Sequence, residues 1–133
     1  MMRRLLLIGS ATIAALPLGG AQASGGGNGT DLAFIPMERI SVPIVDAGRV
    51  EGALRFRIVL EAKDDEAAQK LTAELPTLRA QALSIGSEFS RLSASPFIAV
   101  DARRFSAELN QAMHKREPAI ARVLLVEVAA RSS

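Results

Sequence analysis

An acidic run at residues 64–66 is the first group whose residue types could do chemistry. Clustered carboxylates such as Asp64, Asp65 and Glu66 are typical ligands of hard cations. The same run fits the start of a helix, with Asp64 as the N-cap and the next two residues in the first turn, where carboxylates stabilise the helix dipole. Capping accounts for all three residues, so the sequence predicts no metal site here.

His114 is the only histidine in the chain, and there is no cysteine. Catalysis by a nucleophile needs a base beside it and a third group that orients the base. No Ser-x-x-Lys arrangement or second histidine accompanies His114, so we expect a surface or capping role for it. We therefore expect no enzyme activity and no cofactor, although a large polar cleft with convergent carboxylates would favour an enzyme instead.

The third group is Arg55, Arg57 and Glu61, which alternate with apolar residues along one stretch. Successive side chains of a strand point to opposite faces, so this alternation predicts a strand with one buried and one solvated face. The three charged residues then either keep the sheet soluble or form a candidate interaction face. The apolar residues of the buried face are Leu54, Phe56, Ile58 and Leu60.

A partner strand precedes this one. Ile40, Val42 and Ile44 alternate with polar residues and proline, and because Pro43 cannot donate to a ladder, the strand should lie at an edge or carry a local break. Residues 46–49 predict a hairpin turn that uses Gly48, followed by the long antiparallel strand 50–62.

Two helical segments follow. Apolar residues recur every three or four positions between Leu71 and Phe89, and this stripe keeps its phase across Pro76, which predicts one kinked helix or two abutting helices. Asp101 is placed to cap a further helix that ends at Pro118. Between the helices, Phe97, Ile98 and Val100 are expected to pack against the core.

The last element is a strand over residues 120–128. Its near-continuous apolar run, Val123 to Val126, predicts a position in the sheet interior. The order β-β-α-α-β indicates an α+β fold, with a small antiparallel or mixed sheet and helices on one face.

The N-terminus has the pattern of an export signal. Two arginines precede a 14-residue apolar core, and Ala21-Gln22-Ala23 fits a cleavage site. Residues 1–23 are thus predicted to be a signal peptide, of the Sec or twin-arginine type, 24–33 a glycine-rich linker, and 34–130 the folded domain. The expected location is the periplasm, and the alternative is an inner-membrane protein with an uncleaved anchor.

Composition argues against nucleic acid as a partner. Without Arg3 and Arg4 the basic and acidic residues are equal in number, and the chain has no Trp or Tyr on which bases could stack. No small-molecule substrate is evident from any motif.

From Ser41 to about Val128 the sequence resembles the periplasmic domain of the flagellar basal-body-associated FliL family. The resemblance rests on the VPIV of residues 42–45, the LRFRIVLE of 54–61, the acidic cap with its alanines at 64–68, and the LPTLRAQAL of 75–83, which is similar to the family's L-P-x-[LI]-R-D-A segment.

This resemblance implies a non-enzymatic, membrane-associated scaffold protein of bacterial motility with a stomatin-like fold. It further implies self-association, as a possible ring, and contact with membrane stator proteins of the flagellar motor. The alternative is a soluble periplasmic binding module unrelated to motility.

Overall fold

The structure is a computed structural model that describes residues 32–133. The predicted signal peptide and nearly all of the predicted linker lie outside the described residues, so both assignments stay predictions. Within residues 32–133, none of the helices combines the length and the apolar character needed to cross a membrane.

The described chain is an α+β domain, which confirms the predicted fold class. It adds one short strand and divides the first helical segment, so the order is β-β-β-α-α-α-β. The elements are β1 Ala33–Pro36, β2 Ile40–Asp46, β3 Arg49–Ala62, α1 Asp65–Ala73, α2 Leu75–Ser93, α3 Ala102–Arg116 and β4 Ile120–Ser132.

β3 is the central strand of an antiparallel sheet. β1 and β2 follow one another along one side of β3, with Ile35 opposite Leu60 and Val42 opposite Leu54. β4 pairs along the other side of β3. The predicted position of Pro43 is confirmed, because β2 is an edge strand and its register shifts between Ile44 and Val45.

The predicted interior position of the last strand is wrong, because β4 pairs only with β3 and forms the opposite edge. Its apolar run has two other causes. The register shifts between Arg57 and Ile58, so Val126 is an extra residue that is 55% exposed. Leu124 lies opposite Val59 on the open face, and both side chains are half-buried there.

The core lies between the sheet and the three helices. As predicted, Leu54, Phe56, Ile58 and Leu60 of β3 are fully buried, and they pack with Leu71, Leu78 and the partly buried Leu75 in one cluster. Phe105 of α3 joins the layers, with its ring edge-on to Phe56 at 4.9 Å and stacked on Phe89 at 4.5 Å between centroids. Aromatic pairs in these geometries add to the burial of apolar area.

Helices α1 and α3 begin at their predicted caps, whereas α2 continues to Ser93, beyond the apolar stripe that ends at Phe89. The Asp64 carboxylate accepts the Ala67 N–H at 2.8 Å, and Asp101 accepts the Arg104 N–H at 3.1 Å. Of the two predicted alternatives, abutting helices are observed, because α1 ends and α2 begins at Glu74. Pro76 then lies in the first turn of α2, where a missing N–H leaves no hydrogen bond unmade.

The expected packing of the α2–α3 connection is wrong for two of its three apolar residues. Phe97 is 77% and Ile98 69% exposed, and only Val100 packs against the core. The connection is a tight turn in which the Ser95 hydroxyl accepts the Phe97 N–H at 3.1 Å. This turn directs both large side chains into solvent.

Candidate interaction face

The face of the sheet opposite the helices carries a cluster of arginines. Arg55 and Arg57 alternate with the buried residues of β3, and their exposed side chains share this face. The register places Glu127 beside Arg57, and Arg131 beside Ala53. We call the cluster the arginine face: Arg39, Arg55, Arg57 and Arg131, with Glu127 among them.

Glu127 connects the two sides of the sheet. Arg39, which directly precedes β2, donates to it from Nε at 3.1 Å and from Nη2 to both carboxylate oxygens at 3.0 and 3.1 Å. Arg57 lies 3.5 Å from the same carboxylate. The hydrogen bonds from Arg39 are the main cause of a lowered pKa for Glu127, so this carboxylate is ionised at neutral pH.

Arg55 and Arg131 are exposed, and neither bonds an acidic group among residues 32–133. They flank a depression of about 100 Å³ that is lined by Arg39, Arg55, Glu127, Ala129 and Arg131. One glutamate offsets one of the four positive charges, so the arginine face keeps a positive excess. A planar guanidinium that lacks a partner is suited to bind a carboxylate through two hydrogen bonds.

Glu61, the third predicted residue of the interaction face, is not part of this cluster. It is 7% exposed, and its carboxylate accepts two hydrogen bonds from Arg122 of β4, at 3.1 and 3.2 Å. Six residues along a strand separate it from Arg55, which corresponds to about 20 Å. Glu61 is therefore committed to a contact within the domain, whereas Arg55 and Arg57 face solvent.

Sequence reasoning missed Arg39, Glu127 and Arg131. The alternation of Arg39 with the buried residues of β2 predicts a solvated side chain, but it does not place Arg39 beside the arginines of β3. Glu127 lies on the predicted last strand, but Arg131 lies three residues beyond its predicted end, because β4 continues to Ser132. Their place beside the arginines of β3 depends on a register that includes a bulge. Only strand pairing brings these residues together.

The acidic run and His114, the other residues whose types could do chemistry, make structural contacts in the described chain. Within residues 32–133, no group of three or more acidic or histidine side chains is arranged to hold a metal ion. His114 is exposed at the end of α3 and donates from Nδ1 to the Ile120 carbonyl at 2.7 Å. It thereby fixes the start of β4, in agreement with a surface or capping role.

A groove of about 510 Å³ between α2 and α3 contains two carboxylates. Glu88 and Glu108 both line this groove. Each is bonded by an arginine of its own helix, Glu88 by Arg91 at 2.7 Å and Glu108 by Arg104 at 3.1 Å. These carboxylates therefore form separate surface ion pairs and not an acid/base pair.

No protein-family model matches the chain, and a search of curated proteins finds no similar sequence. The resemblance to the FliL family therefore rests on the segments named for it above.

Proposed function

We propose that this chain is a non-enzymatic interaction protein of the periplasm whose arginine face binds an acidic segment of a partner protein. The proposal rests on which arginines of this face already bind an acidic group and which do not. Arg39 already binds a carboxylate through two nitrogens, while Arg55 and Arg131 on the same face have no acidic partner among residues 32–133. An acidic chain laid across the depression would supply those partners.

Two other occupants of the face are less well supported. A second copy placed face to face would oppose two positively charged surfaces, which like-charge repulsion disfavours. An anionic membrane would meet Glu127 at the centre of the cluster, and this carboxylate stays ionised because of Arg39. An acidic peptide can place its carboxylates beside the arginines and avoid Glu127.

The resemblance to the FliL family makes the flagellar stator the first assembly in which to seek this partner. In that case the chain is a scaffold associated with the motor, held at the inner membrane by its own anchor or by a membrane-bound partner. The alternative is a periplasmic binding module unrelated to motility, which would use the same face for a different acidic partner.

Binding of a poly-glutamate peptide to the full chain tests the arginine face. We expect Arg55→Glu to weaken binding roughly tenfold or more, since it removes a charge-assisted hydrogen-bonding group and adds repulsion. Arg103→Glu is the matched control, because Arg103 is an exposed arginine of α3 on the other side of the molecule. Equal binding by both variants would refute the proposal, and stronger binding to anionic lipid vesicles than to the peptide would assign the face to a membrane.

Deletion of the gene in its host tests the flagellar role. We expect impaired swimming, and we expect pulldown with the wild-type chain, but not with Arg55→Glu, to recover stator or basal-body proteins. Normal swimming without such recovery would leave the module unrelated to motility as the better description.

A further inference from the structure

The two edges of the sheet differ in how many of their outward backbone N–H and C=O groups are bonded by side chains. At the β2 edge, Pro43 has no N–H to offer, and its carbonyl accepts the Ser90 hydroxyl of α2 at 2.8 Å. Just before β2, the Arg79 guanidinium donates to the carbonyls of Glu38 and Arg39, at 2.8 and 3.0 Å. Pro43 and these hydrogen bonds therefore hinder pairing with another strand at this edge, one of the ways in which natural sheets block pairing.

The first part of the β4 edge is closed. The Asn110 side chain of α3 donates to the Val123 carbonyl and accepts the Val123 N–H, both at 2.8 Å, as a neighbouring strand would. The Nδ1 atom of His114 donates to the Ile120 carbonyl at 2.7 Å. Helix α3 thus covers β4 up to Val123.

The remainder of the β4 edge is open. Ser133 N–H donates to Glu51 O at 3.1 Å, and residues 127–132 continue from there in unbroken register with β3. Antiparallel strands alternate between residues bonded to one neighbour and residues that point away from it. The backbone N–H and C=O groups of Val128, Ala130 and Ser132 therefore point away from β3, and no side chain of residues 32–133 caps them.

We propose that this open segment pairs with the same segment of a second copy of the chain, antiparallel and about a two-fold axis at Ala129. In this register Val128 and Ala130 of one copy exchange backbone hydrogen bonds with Ala130 and Val128 of the other. On the open face, Glu127 of each copy lies opposite Arg131 of the other. The inference concerns the sheet edge and shares Glu127 and Arg131 with the arginine face, so in the dimer Arg55 is the arginine left for the acidic partner proposed above.

Charge and size both favour this register. Opposite residues of the non-hydrogen-bonded type have Cβ atoms about 4.5–5.5 Å apart, and opposite charges there are stabilising. Arg131 gains the acidic partner that it lacks within residues 32–133, and a carboxylate can accept from this arginine in addition to Arg39 and Arg57. At the axis the two Ala129 side chains, which are small, face each other without crowding.

The symmetry of the contact limits the assembly to two copies. A contact that uses the same surface on both copies closes on itself. The pairing therefore predicts a symmetric dimer and not a ring. It also joins the two arginine faces into one longer surface.

Sedimentation of the full chain over a range of concentrations tests this pairing. We expect the weight-average mass to rise toward twice that of the monomer, and Ala130→Pro to lower dimer affinity tenfold or more. Proline at 130 removes an N–H that points away from β3, so the β3–β4 ladder is kept, and circular dichroism should show an unchanged fold. A wild-type chain that stays monomeric at millimolar concentration, assembles beyond two copies, or dimerises equally well with Ala130→Pro would overturn the proposal.

Charge reversal gives a second, independent readout. Arg131→Glu alone places two acidic residues opposite each other, and Glu127→Arg alone places two basic residues opposite each other, so each variant should be monomeric. Mixed in equal amounts, the two variants restore an opposite-charge pair at both positions, and we expect heterodimers. A mixture that stays monomeric while both variants are folded would contradict the register.

Discussion

Glu127 shows how one half-exposed residue organises the open face of the sheet. Its carboxylate holds Arg39 from one edge and approaches Arg57 on the central strand. Exposed ion pairs contribute little to stability, so we assign Glu127 a role in orienting the arginines more than in stabilising the fold. The orientation leaves Arg55 and Arg131 directed at the same shallow depression.

Ala47 is a residue at which a single change should stabilise the domain. Ala47 and Gly48 form the two-residue turn between β2 and β3, with φ values of 53° and 78°. Such turns favour Asn followed by Gly, because most other residues are strained at positive φ. We expect Ala47→Asn to raise the free energy of unfolding in urea titrations, by part of the roughly 1–2 kcal/mol that the left-handed region costs an ordinary residue. Gly48→Ala should lower it, and a stability loss in Ala47→Asn would contradict this account of the turn.

Glu117 predicts a specific acid sensitivity. Its side chain, 11% exposed, accepts the Ala119 N–H at 3.0 Å and lies 3.2 Å from Lys70 Nζ, and the Ala119 hydrogen bond is the first cause of a lowered Glu117 pKa. A carboxyl with a lowered pKa stabilises the fold above its unfolded pKa of about 4.5, and this contribution is lost as the pH falls through the folded value.

Glu117→Gln should remove this dependence. The amide oxygen can still accept from Ala119 but does not titrate. We therefore expect a smaller stability loss between pH 5 and pH 3 in Glu117→Gln than in the wild type, measured as the shift in denaturation midpoint. Glu66→Gln, at an exposed position of α1, is the control, and identical acid profiles for the wild type and Glu117→Gln would refute the assignment.

Among the elements, those with strong local signals could be predicted from the sequence. The alternation of β3 and the caps at Asp64 and Asp101 each have one physical interpretation. The apolar stripe predicts helical structure on both sides of Pro76, although it left one kinked helix and two abutting helices as alternatives. β1 was missed because four residues that include Pro36 carry little periodicity. The position of β4 was misassigned because a bulge and a half-buried open face produce the same apolar run as an interior strand.

The candidate interaction face was predictable only in part, for a related reason. Arg55 and Arg57 lie on one strand, so alternation alone places them on the solvated face. The same rule placed Glu61 there, but burial beside Arg122 is a pairing between strands that alternation does not reveal. Residues far apart in sequence, such as Arg39 and Glu127, meet only once the register is known.

Gly86 sets the closeness of α2 to the sheet. A Cβ at this position would lie 2.6 Å from the ring of Phe56, which is fully buried and cannot move aside. Gly→Ala in an exposed helix stabilises by about 1 kcal/mol, but overpacking a core costs about 1–3 kcal/mol. We expect Gly86→Ala to destabilise the domain on balance.

A second variant separates steric conflict from other effects at Gly86. Phe56→Leu shortens the facing side chain and should itself be destabilising. In combination with Gly86→Ala, however, the loss of unfolding free energy should be less than the sum of the two single losses, because the variants share one contact. Strict additivity in urea denaturation would show that the Phe56 ring is not what excludes a side chain at 86.

At the scale of the whole molecule, the domain separates its surfaces by role. The helices cover one face of the sheet and form the core, the other face presents the arginines, and helix side chains hinder pairing at the β2 edge and close part of the β4 edge. The arginine face and the open segment of β4 remain accessible to other chains, and they adjoin each other at Glu127 and Arg131. Both surfaces can therefore contact other chains.

The export pattern leads to a prediction about the intact chain. If the signal is cleaved after Ala23, the mature protein begins at Ser24, and mass spectrometry of the exported protein should find that terminus.

If the segment instead serves as an uncleaved anchor, only residues 24–32 separate it from β1, a span of about 30 Å when fully extended. The domain would then stay close to the membrane, and tethering would raise the local concentration for pairing between β4 edges. We expect cleavage, because the apolar core of the signal is 14 residues long and a spanning helix needs about 20. Recovery of intact Met1 in a carbonate-resistant membrane fraction would contradict cleavage and favour the anchored form.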